Sequence, residues 1–449
     1  VELSGKGNTV LKLVADNKNF YYQDASGNLV KFYDNYKKDL FYIFWADIKF
    51  STGTTGTFDL YLEDKLMVQD APLAQNAASV DTFRAVGEKN TGAFYLSEVE
   101  VYPTETIPDD EYVPQPKRVS SDGVDIGMQY FGLWNEGGHF GWDWVNDSEF
   151  RRPLDGFYDE DSPEHWDWQI KYWLEHGIDY VAPCWYARGE WALASEKVRT
   201  PFFKAKYSNQ MRYALLMETK DWGSWTTDKA GADKWLNDVG RQMIEYYFKD
   251  DRYYKNGGRP VVFMFGWEQF RNAFGANIDY VFESLDKMCE DEKIGKPMFI
   301  MHFGDEFEKW TTSLEEAQEI NADGFFHYSL GRWPEKANEI NATHAEIANT
   351  SKNKKGEQMV YVPTVSQGFD NYAWNDEVGY DLDGKMVEKS LKLCQPILDK
   401  STKGTELTPM LNLATWNEYG EGHYFSPSTG YRFSLLDAVR DVYVKPKDN

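Results

Sequence analysis

Along the first hundred residues, apolar and polar positions alternate with a period of two in short runs. These are Thr9 to Val14, Phe41 to Phe50, Thr57 to Tyr61 and Ala93 to Val101, with Gly, Asn, Asp and Ser between them. Successive strand side chains point to opposite faces, so this alternation predicts the antiparallel strands of a small β-sandwich. The segment from Pro103 to Pro116 then holds four prolines and four acidic residues, the composition of an extended linker. The expected organisation is a sandwich over residues 1–110, a Pro-rich linker over 111–120 and a second domain over 121–449.

Beyond the linker the rhythm changes to short β-branched or aromatic runs separated by longer stretches of helical period. Eight runs read as strands: Val124 to Tyr130, Tyr180 to Trp185, Arg212 to Met217, Pro260 to Phe265, Pro297 to His302, Gly324 to Tyr328, Val360 to Thr364 and Pro409 to Thr415. The intervening helical stretches include Glu164 to His176, Gly231 to Phe248, Ile278 to Glu292, Ser313 to Ile320 and Met386 to Asp399. Alternating strands and helices on this scale predict an α/β fold, a (β/α)8 TIM barrel. Such barrels build their sites in the segments that follow the strands, and here those segments are rich in polar and aromatic groups. They place Tyr130, Trp134, Trp185, Tyr186, Trp267, His302, Tyr328, Asp370, Trp416, Asn417 and His423 as candidates to line one substrate cleft.

The sharpest feature follows the last strand: Leu413-Ala-Thr-Trp-Asn-Glu-Tyr-Gly-Glu-Gly-His-Tyr-Phe-Ser-Pro427. Glu418 and Glu421 stand three apart, with Gly420 between them and Gly422 after the second. In a helical or tight-turn conformation both would face one pocket. Two adjacent carboxyls do not ionise equally, so one keeps a proton that the other has lost. Glycoside hydrolysis uses that division, one group protonating the leaving oxygen while the other activates a nucleophile.

These residues resemble known families. Trp416-Asn-Glu-Tyr-Gly-Glu-Gly-His-Tyr424, followed by Pro427, Tyr431 and Leu435-Leu436, resembles the closing motif of WbsX-type proteins related to glycoside hydrolase family 99, the endo-α-mannosidases. Asp125 to Trp134, Arg152 to Asp159 and Trp168 to Tyr180 are similar to that group's first two β/α units. The resemblance implies a hydrolase of α-linked glycans, endo-acting rather than exo-acting. In it Glu418 is the base toward the sugar 2-hydroxyl, Glu421 is the general acid, and Tyr130 and Tyr328 lie beside the sugar. Tyr419-Gly420 between the glutamates departs from family 99, and the motif also resembles the α-1,3-glucanases of glycoside hydrolase family 71. The sugar therefore stays open. So do two alternatives, an inactive glycan-binding protein and a WbsX-type protein of polysaccharide biosynthesis. By the same resemblance to glycanase-linked lectin-like modules, the N-terminal sandwich is either a carbohydrate-binding module or a spacer.

Charge and composition narrow the field. A net charge of −25 disfavours nucleic acid and anionic lipid as partners. No apolar run reaches the length of a membrane span. Cys184, Cys289 and Cys394 are too few and too scattered for a disulfide framework or a C-x-x-C metal site. No P-loop, H-E-x-x-H or dinucleotide fingerprint occurs. No metal and no other cofactor is expected. The expected partner is an oligosaccharide or polysaccharide, and the expected form is a monomer. Secretion to a periplasmic, cell-surface or extracellular place is expected, with any signal peptide already removed. Asn146, Asn341 and Asn349 head glycosylation sequons.

Overall fold

The computed structural model describes all of residues 1–449 except 17, 37–41, 43, 63–64, 88–110, 122, 133, 135–141, 143–144, 146–148, 188–191, 219–225, 303–313, 316–317, 319–321, 372–378, 403 and 445–449. The side chains of 149, 192–194, 196–197, 267–268 and 380 are likewise outside the description. The chain divides into two compact units, Val1–Glu111 and Tyr112–Asn449.

The first unit contains β1 (Glu2–Gly5), β2 (Asn8–Ala15), β3 (Phe20–Gln23), β4 (Leu29–Tyr33), β5 (Phe44–Lys49), β6 (Thr57–Leu62), β7 (Lys65–Pro72) and β8 (Thr82–Arg84). One antiparallel sheet runs β4-β3-β2-β1-β8 and a second runs β5-β6-β7. Val10 and Leu11 from the first sheet bury against Phe58 and Leu60 from the second, which gives the sandwich its core. Three of the expected runs are β2, β5 and β6, whereas Ala93 to Val101 lies outside the described residues. The strands β1, β3, β4, β7 and β8 are additions. They are short or carry charged residues in both faces, which hides the period of two.

In the second unit, the strands are β9 (Asp125–Tyr130), β10 (Tyr180–Tyr186), β11 (Arg212–Tyr213), β12 (Leu215–Glu218), β13 (Lys255–Asn256), β14 (Arg259–Phe265), β15 (Met298–His302), β16 (Gly324–Phe326), β17 (Val360–Val362), β18 (Thr364–Ser366), β19 (Gly368–Phe369), β20 (Tyr380–Asp381) and β21 (Met410–Ala414). The main sheet follows the order β17-β16-β15-β14-β12-β10-β9-β21-β18, and every neighbour along that path is parallel. Only Pro363 separates β17 from β18. Proline has no N–H to give to a ladder, but its carbonyl accepts from Asn412 N–H at 2.9 Å. The two pieces act as one broken strand, and the sheet closes on itself as an eight-stranded (β/α)8 barrel.

Around it pack the helices Pro163–Glu175, Ala192–Lys204, Lys229–Trp235, Trp267–Phe274, Ile278–Asp291, Ala337–Thr350, Gly384–Ser401 and Ser434–Tyr443. Of the expected Ser313 to Ile320 helix, most residues lie outside the description. The first helix starts where it does because Ser162 accepts from His165 N–H and Pro163 occupies the first turn, where a missing N–H does no harm. Asn341 is buried, donating to the Thr364 carbonyl and accepting from the Tyr361 hydroxyl and Thr364 N–H, so its sequon offers no exposed acceptor for a glycan. Among the described residues no helix is long and apolar enough to cross a membrane.

Alternation along each strand separates two cores. Ile126, Met128, Val181, Leu215, Met217, Val262, Met264, Phe299, Met301, Phe325 and Tyr361 point outward to the helices. Ala182, Cys184, Ala214, Leu216, Val261, Phe263, Met298, Ile300, Phe326, Val360 and Val362 fill the barrel. Near the floor of the barrel Gly127 lies opposite Tyr180, whose ring stacks on Tyr254 at 4.0 Å. A Cβ on Gly127 would sit 2.2 Å from that ring. Gly127→Ala is therefore expected to destabilise the barrel by about 1–3 kcal/mol, read as a lower denaturant midpoint; an unchanged midpoint would show that the stack can move aside.

Candidate active site

The last barrel strand, β21, ends at Ala414, and the chain leaves it through a tight turn rather than a helix. Glu418 and His423 pair as an isolated antiparallel bridge across Tyr419–Gly422. Gly422 takes φ 68°, and a Cβ there would meet the Asp370 carbonyl oxygen at 2.3 Å, so only glycine closes the turn. The turn is anchored from several sides. Asn417 is fully buried, accepting from Phe131 N–H at 2.9 Å and donating to Tyr158 Oη at 3.1 Å and Glu160 Oε1 at 3.2 Å. Trp134 donates its indole N–H to the Asn417 carbonyl at 2.8 Å. Arg151 donates to the Tyr419 carbonyl at 3.1 Å and pairs with Asp370 at 2.8 Å, while Asp370 N–H donates to the Glu421 carbonyl at 2.7 Å.

Within this frame the two carboxyls differ. Glu418 is 3% exposed, its Oε2 accepts from the Tyr328 hydroxyl at 2.8 Å, and its Oε1 has no partner among the described residues. Burial pushes its carboxyl well above the ordinary range, and the neighbouring Glu421 and Glu218 charges push the same way; the Tyr328 hydrogen bond opposes them. Glu421 is half-buried, and its Oε2 lies 3.0 Å from Nε2 of the fully buried His423. Thr415 joins the two glutamates. Its Oγ1 accepts from Glu418 N–H at 3.1 Å, donates to the His423 carbonyl at 2.9 Å and lies 3.3 Å from His423 Nδ1.

Strand parity decides which other expected residues reach this mouth. Tyr186, His302 and Tyr328 follow the inward-facing positions. Tyr186 is half-buried at the end of β10, its hydroxyl raised by burial and by Cys184, Glu218 and Glu418. His302 sits against Phe265 and Phe326. Tyr328 packs edge-on to His423 and Phe265.

The expectation that Tyr130, Trp185 and Trp416 line the cleft is corrected. All three belong to the layer between strands and helices. Tyr130 packs on Trp166 and donates to Glu160, Trp185 donates to the Tyr247 hydroxyl, and Trp416 packs edge-on to Trp173. The reason is the period of two: Trp185 and Tyr186 are neighbours on one strand and cannot both face inward. Trp134, Asn417 and Asp370 support the turn by the contacts above, and Trp134 and Asn417 are fully buried while the Asp370 side chain stays partly exposed. The Trp267 side chain lies outside the described residues.

The residues that sequence reading missed are Arg151, Glu160, Thr415 and Gln367, which is buried and accepts from Tyr424 N–H at 3.2 Å. Only Thr415 had a local signal, a hydroxyl at the strand end inside the motif. Among the described residues no group of three His, Cys, Asp or Glu side chains is placed to hold a metal ion. Cys184, on the barrel interior, is buried and its thiol is raised well above the usual range, the behaviour of a packed thiol rather than a nucleophile.

The raised carboxyl of Glu418 has a consequence for stability. A group whose folded pKa exceeds its unfolded value contributes stability below the unfolded value, and that contribution is lost as pH rises through the folded one. Glu418→Gln should therefore melt at a higher temperature than the parent at pH 8, by roughly 2 °C or more, and the gap should close below about pH 4. Thermal unfolding across pH checks this; a gap that does not widen with pH overturns it.

Comparison with known proteins adds family and fold. A "Glycoside hydrolase-like protein" of known structure superposes with a TM-score of 0.56 at 12% identity, covering 75% of this chain and 99% of its own. The endo-α-mannosidase of glycoside hydrolase family 99 from Bacteroides thetaiotaomicron, alone or with bis-tris-propane, gives a TM-score of 0.49 at 13% identity over 71% of this chain and 96% of its own. No curated protein matches the sequence. Residues 146–439, nearly two thirds of the chain, match the family described as Glycosyltransferase WbsX, and the span includes both glutamates, Tyr328 and His423. This chain belongs to the WbsX family.

Proposed function

We propose that the protein is a glycoside hydrolase of α-linked glycans, with Glu418 as base and Glu421 as general acid. The observation that carries this reading is the contrast within one turn. A buried carboxyl receives a hydroxyl hydrogen bond, and three residues later a half-buried carboxyl meets a histidine, both at the barrel end where such folds do chemistry. Burial makes Glu418 a stronger base once it has lost its proton, which suits removal of a proton from a sugar hydroxyl. Tyr328 favours the ionised form. Glu421, being more accessible, is the group that can meet a leaving oxygen. Tyr186 and His302 offer ring surface and polar tips to a sugar. The resemblance of the closing motif to that of the family 99 endo-α-mannosidases supports α-linked substrates and an endo mode.

A second reading rests on the family's description as a glycosyltransferase. The same carboxyl pair would then serve transfer from an activated sugar donor to an acceptor hydroxyl. Release of reducing ends from an α-linked polysaccharide without a donor supports hydrolysis; product formed only when a nucleotide sugar is added supports transfer.

Glu418→Gln and Glu421→Gln should each lower turnover of the glycan on the order of a hundredfold or more while the far-ultraviolet circular dichroism is unchanged. Parent-level rates from both variants would refute the assignment. Activity should also rise with pH as Glu418 ionises. Tyr328→Phe removes the hydrogen bond that favours the ionised form, so the ascending limb of kcat/KM against pH should move to higher pH. A limb that stays in place or moves to lower pH contradicts the role given to Glu418.

A further inference from the structure

We propose that Thr415 and His423 hold a single proton at Glu421, so that the Glu421–His423 pair carries one exchangeable proton and no net charge. The inference rests on the hydrolytic reading of Glu421 as the acid and adds how that acid keeps its proton.

The argument counts donors. A threonine hydroxyl has one hydrogen. Thr415 gives it to the His423 carbonyl at 2.9 Å, which can only accept, and the same oxygen accepts Glu418 N–H at 3.1 Å. Toward His423 Nδ1, 3.3 Å away, that oxygen can therefore act only as an acceptor, so Nδ1 carries the hydrogen. A neutral imidazole protonated at Nδ1 turns a lone pair at Nε2 toward Glu421 Oε2, 3.0 Å away. The contact then requires one proton between the two atoms, either on the carboxyl or as an imidazolium–carboxylate pair.

Packing holds the imidazole in this orientation. His423 is fully buried, Phe369 stacks along its ring and Tyr328 meets it edge-on. The other titratable groups around the turn are Glu418, Glu218, Cys184, Asp370 and Arg151. During cleavage the shared proton passes through Glu421 to the leaving oxygen as its bond to the anomeric carbon breaks. Glu421 is left as a carboxylate. The 2-oxygen, whose proton Glu418 takes, bonds to the anomeric carbon as the bond to the leaving oxygen breaks. Water then displaces it, giving its proton to Glu421 and so restoring the pair, while the proton on Glu418 returns to the 2-oxygen. His423 is thus a positioning residue acting through Glu421, and Thr415 selects its tautomer.

Two measurements test this. Nitrogen-15 NMR of the imidazole, with His423→Gln to assign the signal, should show hydrogen at Nδ1 in the parent; a neutral ring with hydrogen only at Nε2 overturns the proposal. Thr415→Val, which removes the acceptor, should move the hydrogen to Nε2 in folded protein, and an unchanged tautomer counts against the role of Thr415. In kinetics, His423→Ala should lower turnover by on the order of a hundredfold for glycosides whose leaving groups need protonation, and much less for activated aryl glycosides. A loss equal across all leaving groups, or no loss, would mean that His423 only supports the fold. If the parent hydrolyses no glycoside at all, the hydrolytic reading fails while the tautomer result stands by itself.

Discussion

A carboxyl at 3% exposure is stable only where its surroundings have been fixed in advance, and the closing turn at Glu418 meets that condition through buried hydrogen bonds rather than apolar packing. Asn417, the preceding residue, spends every polar atom of its side chain on Phe131, Tyr158 and Glu160. Trp134 and Arg151 hold the backbone carbonyls on either side of Glu418. The peptide on which the glutamate stands is thus fixed, while one of its own carboxyl oxygens still has no partner among the described residues.

Those anchors come from the first β/α unit, so the barrel's closure and the site's geometry are one problem. β9 pairs directly with β21, which places the segment after the first strand beside the segment after the last. Pro153 bridges Ser428, Leu154 N–H donates to the Pro427 carbonyl and Thr429 N–H to the Arg152 carbonyl, joining the two loops like strands. On the other side, the broken strand at Pro363 lets β18 pair with β21 and carry Asp370 under the turn. An open sheet would lose one of these supports.

The aromatic residues illustrate how composition can mislead about place. Tyr130, Trp185 and Trp416 look equivalent to Tyr186 and Tyr328 in a list of rings near strand ends. In the fold they fill the outer layer, where Trp166, Trp173 and Tyr247 meet them. Large rings serve both purposes, because the same flat surface that can meet a sugar also fills the gap between a barrel and its helices.

Sequence alone determined the order of the barrel strands, because each strand buries one face inward and the other outward and so must be apolar over its whole length. It also marked Glu418 and Glu421, since two glutamates three apart, interleaved with Gly420 and Gly422 after an apolar strand, form a local pattern. It did not reveal Arg151, Glu160 or Gln367, whose partners stand far along the chain; Arg151 and Tyr419 are 268 positions apart. Nor did it reveal which ring of a neighbouring pair faces inward, because a one-residue change of register exchanges the two faces. Only the tertiary structure decided that Tyr328 faces Glu418 and that Thr415 links both glutamates, since hydrogen-bond geometry exists only after the barrel has closed and brought those atoms within reach.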